Sequence, residues 1–392
     1  MPTSLFNEID AVSWAELHHA YGPATDVPDL LRALMTPEAA SPELYEAAKK
    51  CKRSVFDQVT WTLWGNVFHQ GSVWQVTATT VPFLAAILRD GPNNPECKLF
   101  LIDYLHHLAI GYPQDLFPDL PNPDEAFAAI AGLHDPGGEP DYSTDDDSRY
   151  LIWMRDSYEA VERHIDVVLP YLDAADERVA EAAIALCASF PRCADQAVPL
   201  LRRLASKGGR RGATAAVSLA VLEGTNSRPL AESIAASPDP LTAVLGACAA
   251  AIADADGISS DSVVILTRPL GALAQADSAH ASTLSTLVGR SLARLGPGYR
   301  DRAAAGICAQ LAAARPLEAL SLTHSLLILV FENRPPQRAS ALTATQRAAL
   351  EAIRDHGAFK VSGGTFANYT GLLGYWGLPQ SANEIDTWLR TG

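Results

Sequence analysis

The stretch VVLPYLDAADERVAEAAIALCASF, residues 167–190, indicates the fold class. Apolar residues at helical spacing lead up to its central turn: Val161, Ile165, Val168, Leu169 and Leu172. A second apolar face follows the turn: Val179, Ala182, Ala183, Leu186 and Phe190. Two amphipathic helices joined by a short turn form a helical hairpin. Because such segments recur about every thirty residues from Val161 onward, the sequence predicts an all-α fold, an α-solenoid of stacked hairpins.

The next segment, AVPLLRRLASKGGRRGATAAVSLAVL (197–222), repeats the order of apolar helix, turn and Ala-rich helix. Both segments resemble HEAT-like repeats, which implies a right-handed α-solenoid over about the last two-thirds of the chain. Three further pieces resemble a group of bacterial HEAT-repeat proteins of undefined activity: WGNVFHQGSVWQVTATTVPFLAAIL (64–88), LTATQRAALEAI (342–353) and Gly377-Leu378-Pro379. The second resemblance implies an architecture and no particular reaction.

Changes in composition divide the chain into four predicted segments. These are an aromatic-rich helical unit (1–110), an insertion rich in Pro, Gly and Asp (111–148), HEAT-like repeats (149–335) and a C-terminal helical cap (336–392). In the first segment the spacing predicts helices over 13–21, 27–35, 41–64, 73–88 and 96–110, with a kink or late start at Pro82. An insertion of this length is typically a functional or a disordered loop.

Charge and composition restrict the partners. The 392 residues include 45 acidic and 30 basic side chains, a formal net charge of −15. Such a surface disfavours nucleic acids and anionic membranes and favours a basic protein partner. The chain lacks an apolar run of about twenty residues, a signal-peptide pattern at its start and any Cys-x-x-Cys pair among its six cysteines. We therefore expect a cytoplasmic protein with reduced thiols, no membrane span and no cofactor; its oligomeric state stays open.

The best pocket candidate combines three indole rings with two polar side chains: Trp61, Trp64, His69, Gln70 and Trp74. Aromatic walls with a few polar groups are typical of a ligand site. The same residues equally fit the core of a helical hairpin. His69 would serve as a general base if a carboxylate lay beside it in a cavity.

Other charged residues offer weaker candidates. Two carboxylate–histidine pairs at helical i, i+3 spacing resemble half-sites of di-iron proteins: Glu16 with His19, and Asp103 with His106. HEAT-like hydroxylases carry repeated His-Glu dipeptides, and since this chain has none, we expect no bound metal. The acidic loop residues Asp145, Asp146 and Asp147 form either a solvated loop or a docking site for a basic partner. Arg210 and Arg211 form a basic turn that is either solvated or a phosphate site.

These patterns favour a non-catalytic scaffold that binds another protein, with a basic partner as the leading case. An immunity-type protein that neutralises a bacterial toxin is one concrete version. Two alternatives remain open: an enzyme or small-ligand binder that uses the Trp/His pocket, and a nucleic-acid-binding HEAT-like protein that uses the basic turn.

Overall fold

The computed structural model describes residues 2–138, 147–331, 335–336 and 338–391. The chain is mostly α-helical with three two-residue β-hairpins, so the predicted all-α class is confirmed. Within these ranges, no helix combines the length and the apolar character needed to cross a bilayer. The chain forms two compact units, an N-terminal unit (Met1–Ala197) and a C-terminal unit (Val198–Gly392). The four predicted segments are a division by composition and stay a prediction.

The elements of the N-terminal unit follow one another in this order: α1 (Pro2–Asp10), β1 (His18–His19), β2 (Gly22–Pro23), α2 (Val27–Met35), α3 (Pro42–Lys50), α4 (Val55–Asn66), β3 (Phe68–His69), β4 (Ser72–Val73), α5 (Gln75–Asp90), α6 (Pro95–Ile110), α7 (Pro113–Leu116), α8 (Pro123–Ala126), α9 (Asp147–Glu162), α10 (Ile165–Val168) and α11 (Glu177–Cys187). The boundary between the units falls within α12 (Ala194–Lys207). Helix α5 packs on α9, and α6 packs on both α9 and α11.

The C-terminal unit continues with these elements: α13 (Gly209–Glu223), α14 (Arg228–Ala235), α15 (Pro240–Ala253), α16 (Ser260–Thr267), α17 (Leu284–Ala293), α18 (Arg300–Leu311), α19 (Pro316–Phe331), α20 (Ala344–His356), β5 (Lys360–Val361), β6 (Gly364–Thr365), α21 (Ala367–Tyr375) and α22 (Ala382–Thr391). Odd-numbered helices α13 to α19 each contact the next odd one, and even-numbered helices α14 to α20 each contact the next even one. The unit therefore has two rows of helices, with alanine-rich faces between them.

Two helix predictions in the N-terminal unit are wrong. The segment 13–21 forms a short 3₁₀ turn over Trp14–Glu16 and then enters β1, because several of its backbone groups from Leu17 onward bond outside the segment. The Ala20 N–H, for example, donates to the Asn66 carbonyl at 3.1 Å. The single helix predicted over 41–64 is two helices, since Lys52 adopts φ +54° and Ser54 starts α4 with a capping box to Asp57.

The structure also describes the segment around Pro82 and part of the insertion. Helix α5 runs unbroken from Gln75 to Asp90, so Pro82 lies inside it and the predicted late start is wrong. The described part of the insertion packs against α9: Trp153 Nε1 donates to Asp135 Oδ2 at 2.7 Å, and Arg155 donates to the carbonyl oxygens of Ile130 and Leu133.

Candidate functional site

Helix α4 carries the two indoles that form one wall of the candidate site. Trp61 and Trp64 are three residues apart, so they lie on neighbouring positions of the same helical face. Trp64 packs edge-on against the rings of Tyr104 and His107, with centroids 4.9 and 4.8 Å away. Trp61 has no such cover and stays 62% exposed, with the Arg53 guanidinium 4.1 Å from its ring centroid.

The β3–β4 hairpin supplies the polar edge of the site. Its two-residue turn, Gln70-Gly71, has φ +52° and +90°, the left-handed pair that a tight type I′ turn requires. A Cβ at Gly71 would lie 2.7 Å from the Tyr112 ring, so glycine also permits the close approach of that ring. The turn holds His69 and Gln70 beside the end of α4, and Tyr112 closes the far side.

The β1–β2 hairpin lies against the same place and adds a further ring. Besides the Ala20–Asn66 backbone bond, the His18 N–H donates to Gln75 Oε1 at 3.1 Å. These bonds set the Tyr21 ring edge-on to His69, with centroids 5.3 Å apart and Tyr21 Oη 3.5 Å from His69 Nδ1. Tyr21 itself remains 69% exposed.

A half-buried polar network fixes the β1–β2 hairpin. His19 Nδ1 accepts from the Tyr21 N–H at 3.0 Å, so its Nε2–H donates to Asp26 Oδ1 at 2.9 Å. Asn66 Nδ2 donates to the other Asp26 oxygen at 2.6 Å. Burial raises the pKa of the Asp26 carboxyl, but the hydrogen bonds from His19 and Asn66 outweigh it and lower the pKa below its ordinary value. The network holds the hairpin against α4.

Together these side chains surround an open cavity of about 470 Å³. The predicted residues Trp61, Trp64, His69 and Gln70 line it, with Tyr21, Tyr112, Gln58 and Asn66, which sequence reasoning did not find. Trp74 lies elsewhere: its ring packs near that of Trp153, at a centroid distance of 6.3 Å. Each of the two predicted roles of this cluster, ligand pocket and helical core, therefore fits part of it. Trp64 packs inward against Tyr104, as a core residue does, while Trp61 faces solvent.

The polar groups of this cavity differ from those of the general-base site considered for His69. Its described lining has aromatic rings, amides and hydroxyl groups and contains no carboxylate. The closest acidic network, at Asp26, is already engaged by His19 and Asn66. His69 therefore has Tyr21 beside it and lacks the carboxylate partner that would orient and charge it as a general base.

The metal-ligand candidates lie in unrelated places. Glu16 lies in the 3₁₀ turn, while His19 faces Asp26. His106 Nε2 lies 2.8 Å from Ser189 Oγ, and Asp103 is paired with His107 instead. Among the described residues no three His, Cys, Asp or Glu side chains come together to hold a metal ion.

The structure describes only some of the charged residues that were predicted to bind a partner. Asp145 and Asp146 lie outside the described residues, and Asp147 begins α9. Arg210 and Arg211 belong to the first turn of α13, where Arg210 donates to the Asp277 carbonyl at 3.4 Å.

Charge is distributed very unevenly between the units. The N-terminal unit has 31 acidic and 12 basic residues, a net charge of −19, whereas the C-terminal unit has 14 acidic and 18 basic residues, a net charge of +4. The aromatic cavity therefore belongs to a unit that is more acidic than the whole chain.

Comparison of the chain with family models, with curated proteins and with solved structures finds no match. The fold and the cavity itself therefore carry the functional argument.

Proposed function

We propose that this chain is a non-catalytic binding protein whose N-terminal unit holds a basic protein partner at the aromatic cavity. The observation that carries the proposal is the exposure of Trp61 and Tyr21, 62% and 69%, side by side at one open cavity. Trp and Tyr dominate the energetic centres of protein interfaces because they bury large areas at low conformational cost.

The support behind these rings favours tight binding. Trp64 is packed on Tyr104, whose hydroxyl donates to the Leu63 carbonyl at 2.7 Å, and the Asp26 network anchors the hairpin that carries Tyr21. A surface that is ordered before the partner arrives loses less entropy on association. The net charge of −19 on this unit favours a basic partner, since it steers positive surfaces toward the cavity and repels acidic ones.

The two rows of helices in the C-terminal unit support a wider proposal, that the chain is a right-handed α-solenoid of HEAT-like hairpins. Solenoids are typical scaffolds for protein recognition. Neutralisation of a basic toxin by an immunity-type protein is the version of this role that fits an acidic, aromatic binding surface.

The proposal is tested by capture of partners from the source cells with the wild-type chain and matched variants. Trp61→Ala and Tyr21→Ala should each lower recovery of a stoichiometric, basic partner by tenfold or more. Tyr45→Ala and Tyr375→Ala remove aromatic rings that are 44% and 78% exposed outside the cavity, so recovery should not change. An acidic partner, or a partner retained fully by Trp61→Ala, would contradict the proposal.

A small organic ligand in the same cavity is the second candidate, favoured by its volume of about 470 Å³, which lies in the range of small-molecule sites. Native mass spectrometry of the chain isolated from its own cells separates the two candidates. A bound small molecule that is lost from His69→Ala and Trp61→Ala would favour the ligand site over the protein interface.

A further inference from the structure

A second cavity, of about 410 Å³, lies in the C-terminal unit, where α14 ends, α15 begins and α16 ends. Its walls are apolar and include these side chains: Ala235, Pro238, Val244, Ile265, Leu270 and Leu273. Three of its lining residues are prolines, which have no backbone N–H to offer a ligand. The body of any occupant must therefore be apolar.

Both polar side chains of this cavity can donate hydrogen bonds. The two polar side chains in its lining are Ser237 and Arg268. Ser237 Oγ accepts from the Asp239 N–H at 3.2 Å, so its own O–H can be donated into the cavity. Arg268 is exposed, and within the described part of the chain its guanidinium makes no ion pair.

The carboxylate of Asp239, which neighbours the lining residues Pro238 and Pro240 in the chain, is engaged by its own helix. Asp239 starts α15, where its Oδ2 accepts from the Thr242 N–H at 2.8 Å and from the Thr242 hydroxyl at 2.6 Å. Those bonds lower the pKa of Asp239 and turn its charge toward the helix, and Asp239 is absent from the described lining of the cavity. The cavity thus combines apolar walls with one cation and one hydroxyl donor.

We propose that this cavity binds a small carboxylic acid with an apolar body. The carboxylate accepts from the Arg268 guanidinium and the Ser237 hydroxyl, and the apolar body lies between the prolines and the aliphatic side chains. The net charge of +4 on the C-terminal unit favours an anion here, in contrast to the N-terminal unit. The site is separate from the aromatic cavity, and its occupation does not depend on the proposed protein partner.

Isothermal titration with octanoate, 1-octanol and octyltrimethylammonium tests the site, since the three probes share an apolar chain and differ in the charge of the head. On the full-length chain, octanoate should bind at one site at least tenfold more tightly than 1-octanol, and octyltrimethylammonium more weakly still. Arg268→Gln should lower octanoate affinity about tenfold and leave 1-octanol unchanged. Arg268→Glu should reverse the preference toward the cation.

Arg302→Gln is the matched control, because Arg302 is exposed in the same unit and does not line the cavity. Trp61→Ala should also leave octanoate binding unchanged. Equal affinity for octanoate and 1-octanol, or full octanoate binding by a folded Arg268→Gln variant, would overturn the proposal.

Discussion

The two units form their cavities by opposite means. The N-terminal unit places large rings on α4 and supports them with two β-hairpins, so that a wide aromatic surface faces solvent. The C-terminal unit brings α14 and α15 close together over small residues, and its cavity is lined mainly by aliphatic side chains and prolines beside that contact. Net charges of −19 and +4 add a second contrast that the total of −15 conceals. One chain therefore offers two chemically different surfaces, suited to opposite charges.

The largest expected effect tests the close helix contact of the C-terminal unit. A Cβ added at Gly246 would lie 2.7 Å from the Ile234 carbonyl carbon, which is backbone and cannot rotate away. Gly246→Ala should therefore lower the free energy of unfolding by about 3 kcal/mol, the upper range for overpacking. Urea unfolding followed by circular dichroism measures it.

Gly371→Ala is the control for this substitution, because Gly371 also lies in a helix of the unit and has open space around its Cβ position. It should be neutral or stabilising by up to about 1 kcal/mol. Equal effects of the two substitutions would contradict the close packing of α14 on α15 at Gly246.

The next effect is a pH dependence specific to the C-terminal unit. His280 is buried, with Nε2 2.8 Å from Ser218 Oγ, and burial lowers its pKa from 6.5 to about 3. The unfolded chain thus takes up a proton below pH 6.5 while the folded chain does not, so stability falls as pH decreases. Between about pH 6.5 and pH 5 the loss should reach about 2 kcal/mol.

His280→Gln should remove that loss, which urea unfolding at both pH values measures as the difference from wild type. His324, whose pKa burial and Arg290 also lower, contributes in the same direction and remains in the variant. Asp26, with a lowered carboxyl pKa, affects the N-terminal unit only as pH falls below about 4. Identical pH profiles for wild type and His280→Gln would contradict the prediction.

A smaller effect concerns the support of the aromatic cavity. Tyr104→Phe removes the hydroxyl that donates to the Leu63 carbonyl and leaves the ring that packs on Trp64. Loss of one buried hydrogen bond should lower the free energy of unfolding by about 1 kcal/mol. The exposed Tyr45, which donates to the Pro37 carbonyl at 3.2 Å, provides the control, and Tyr45→Phe should change stability by less than about 0.5 kcal/mol.

The smallest effect is the response to salt. Because the N-terminal unit carries −19 and the C-terminal unit +4, screening should relieve repulsion mainly in the former. Raising NaCl from about 0.05 to 0.5 M should increase amide-exchange protection in α2 and α4 by less than about 1 kcal/mol. Protection in α13 and α15 should stay constant. An equal rise there would contradict the prediction that charge repulsion destabilises mainly the N-terminal unit.

The amphipathic helices could be predicted because their apolar pattern is local. The apolar helix and the Ala-rich helix predicted within 197–222 correspond to α12 and α13, since apolar spacing over a dozen residues carries the information. The β-hairpins could not be predicted, because strands of two residues show no alternation of apolar and polar side chains. In addition, the β1 segment is held by hydrogen bonds to Asn66 and Gln75, about fifty residues away in the chain.

The candidate site was predictable to the same extent. Trp61, Trp64, His69 and Gln70 lie within ten residues, so the sequence could group them, and the structure does so. Tyr21 and Tyr112 reach the cavity only through tertiary contacts. Trp74 leaves it because the chain is extended there, at φ −133° and ψ 171°, before α5 begins.

The positions of the thiols have a practical consequence. Four cysteines are buried and Cys308 is half-buried with a pKa raised to about 11, which leaves Cys51 as the exposed thiol. It lies at the end of α3, two residues before Arg53, whose guanidinium covers Trp61. A maleimide dye should therefore label the native chain at this one site. That conjugate would report occupation of the aromatic cavity by a change in fluorescence, with no engineered residue.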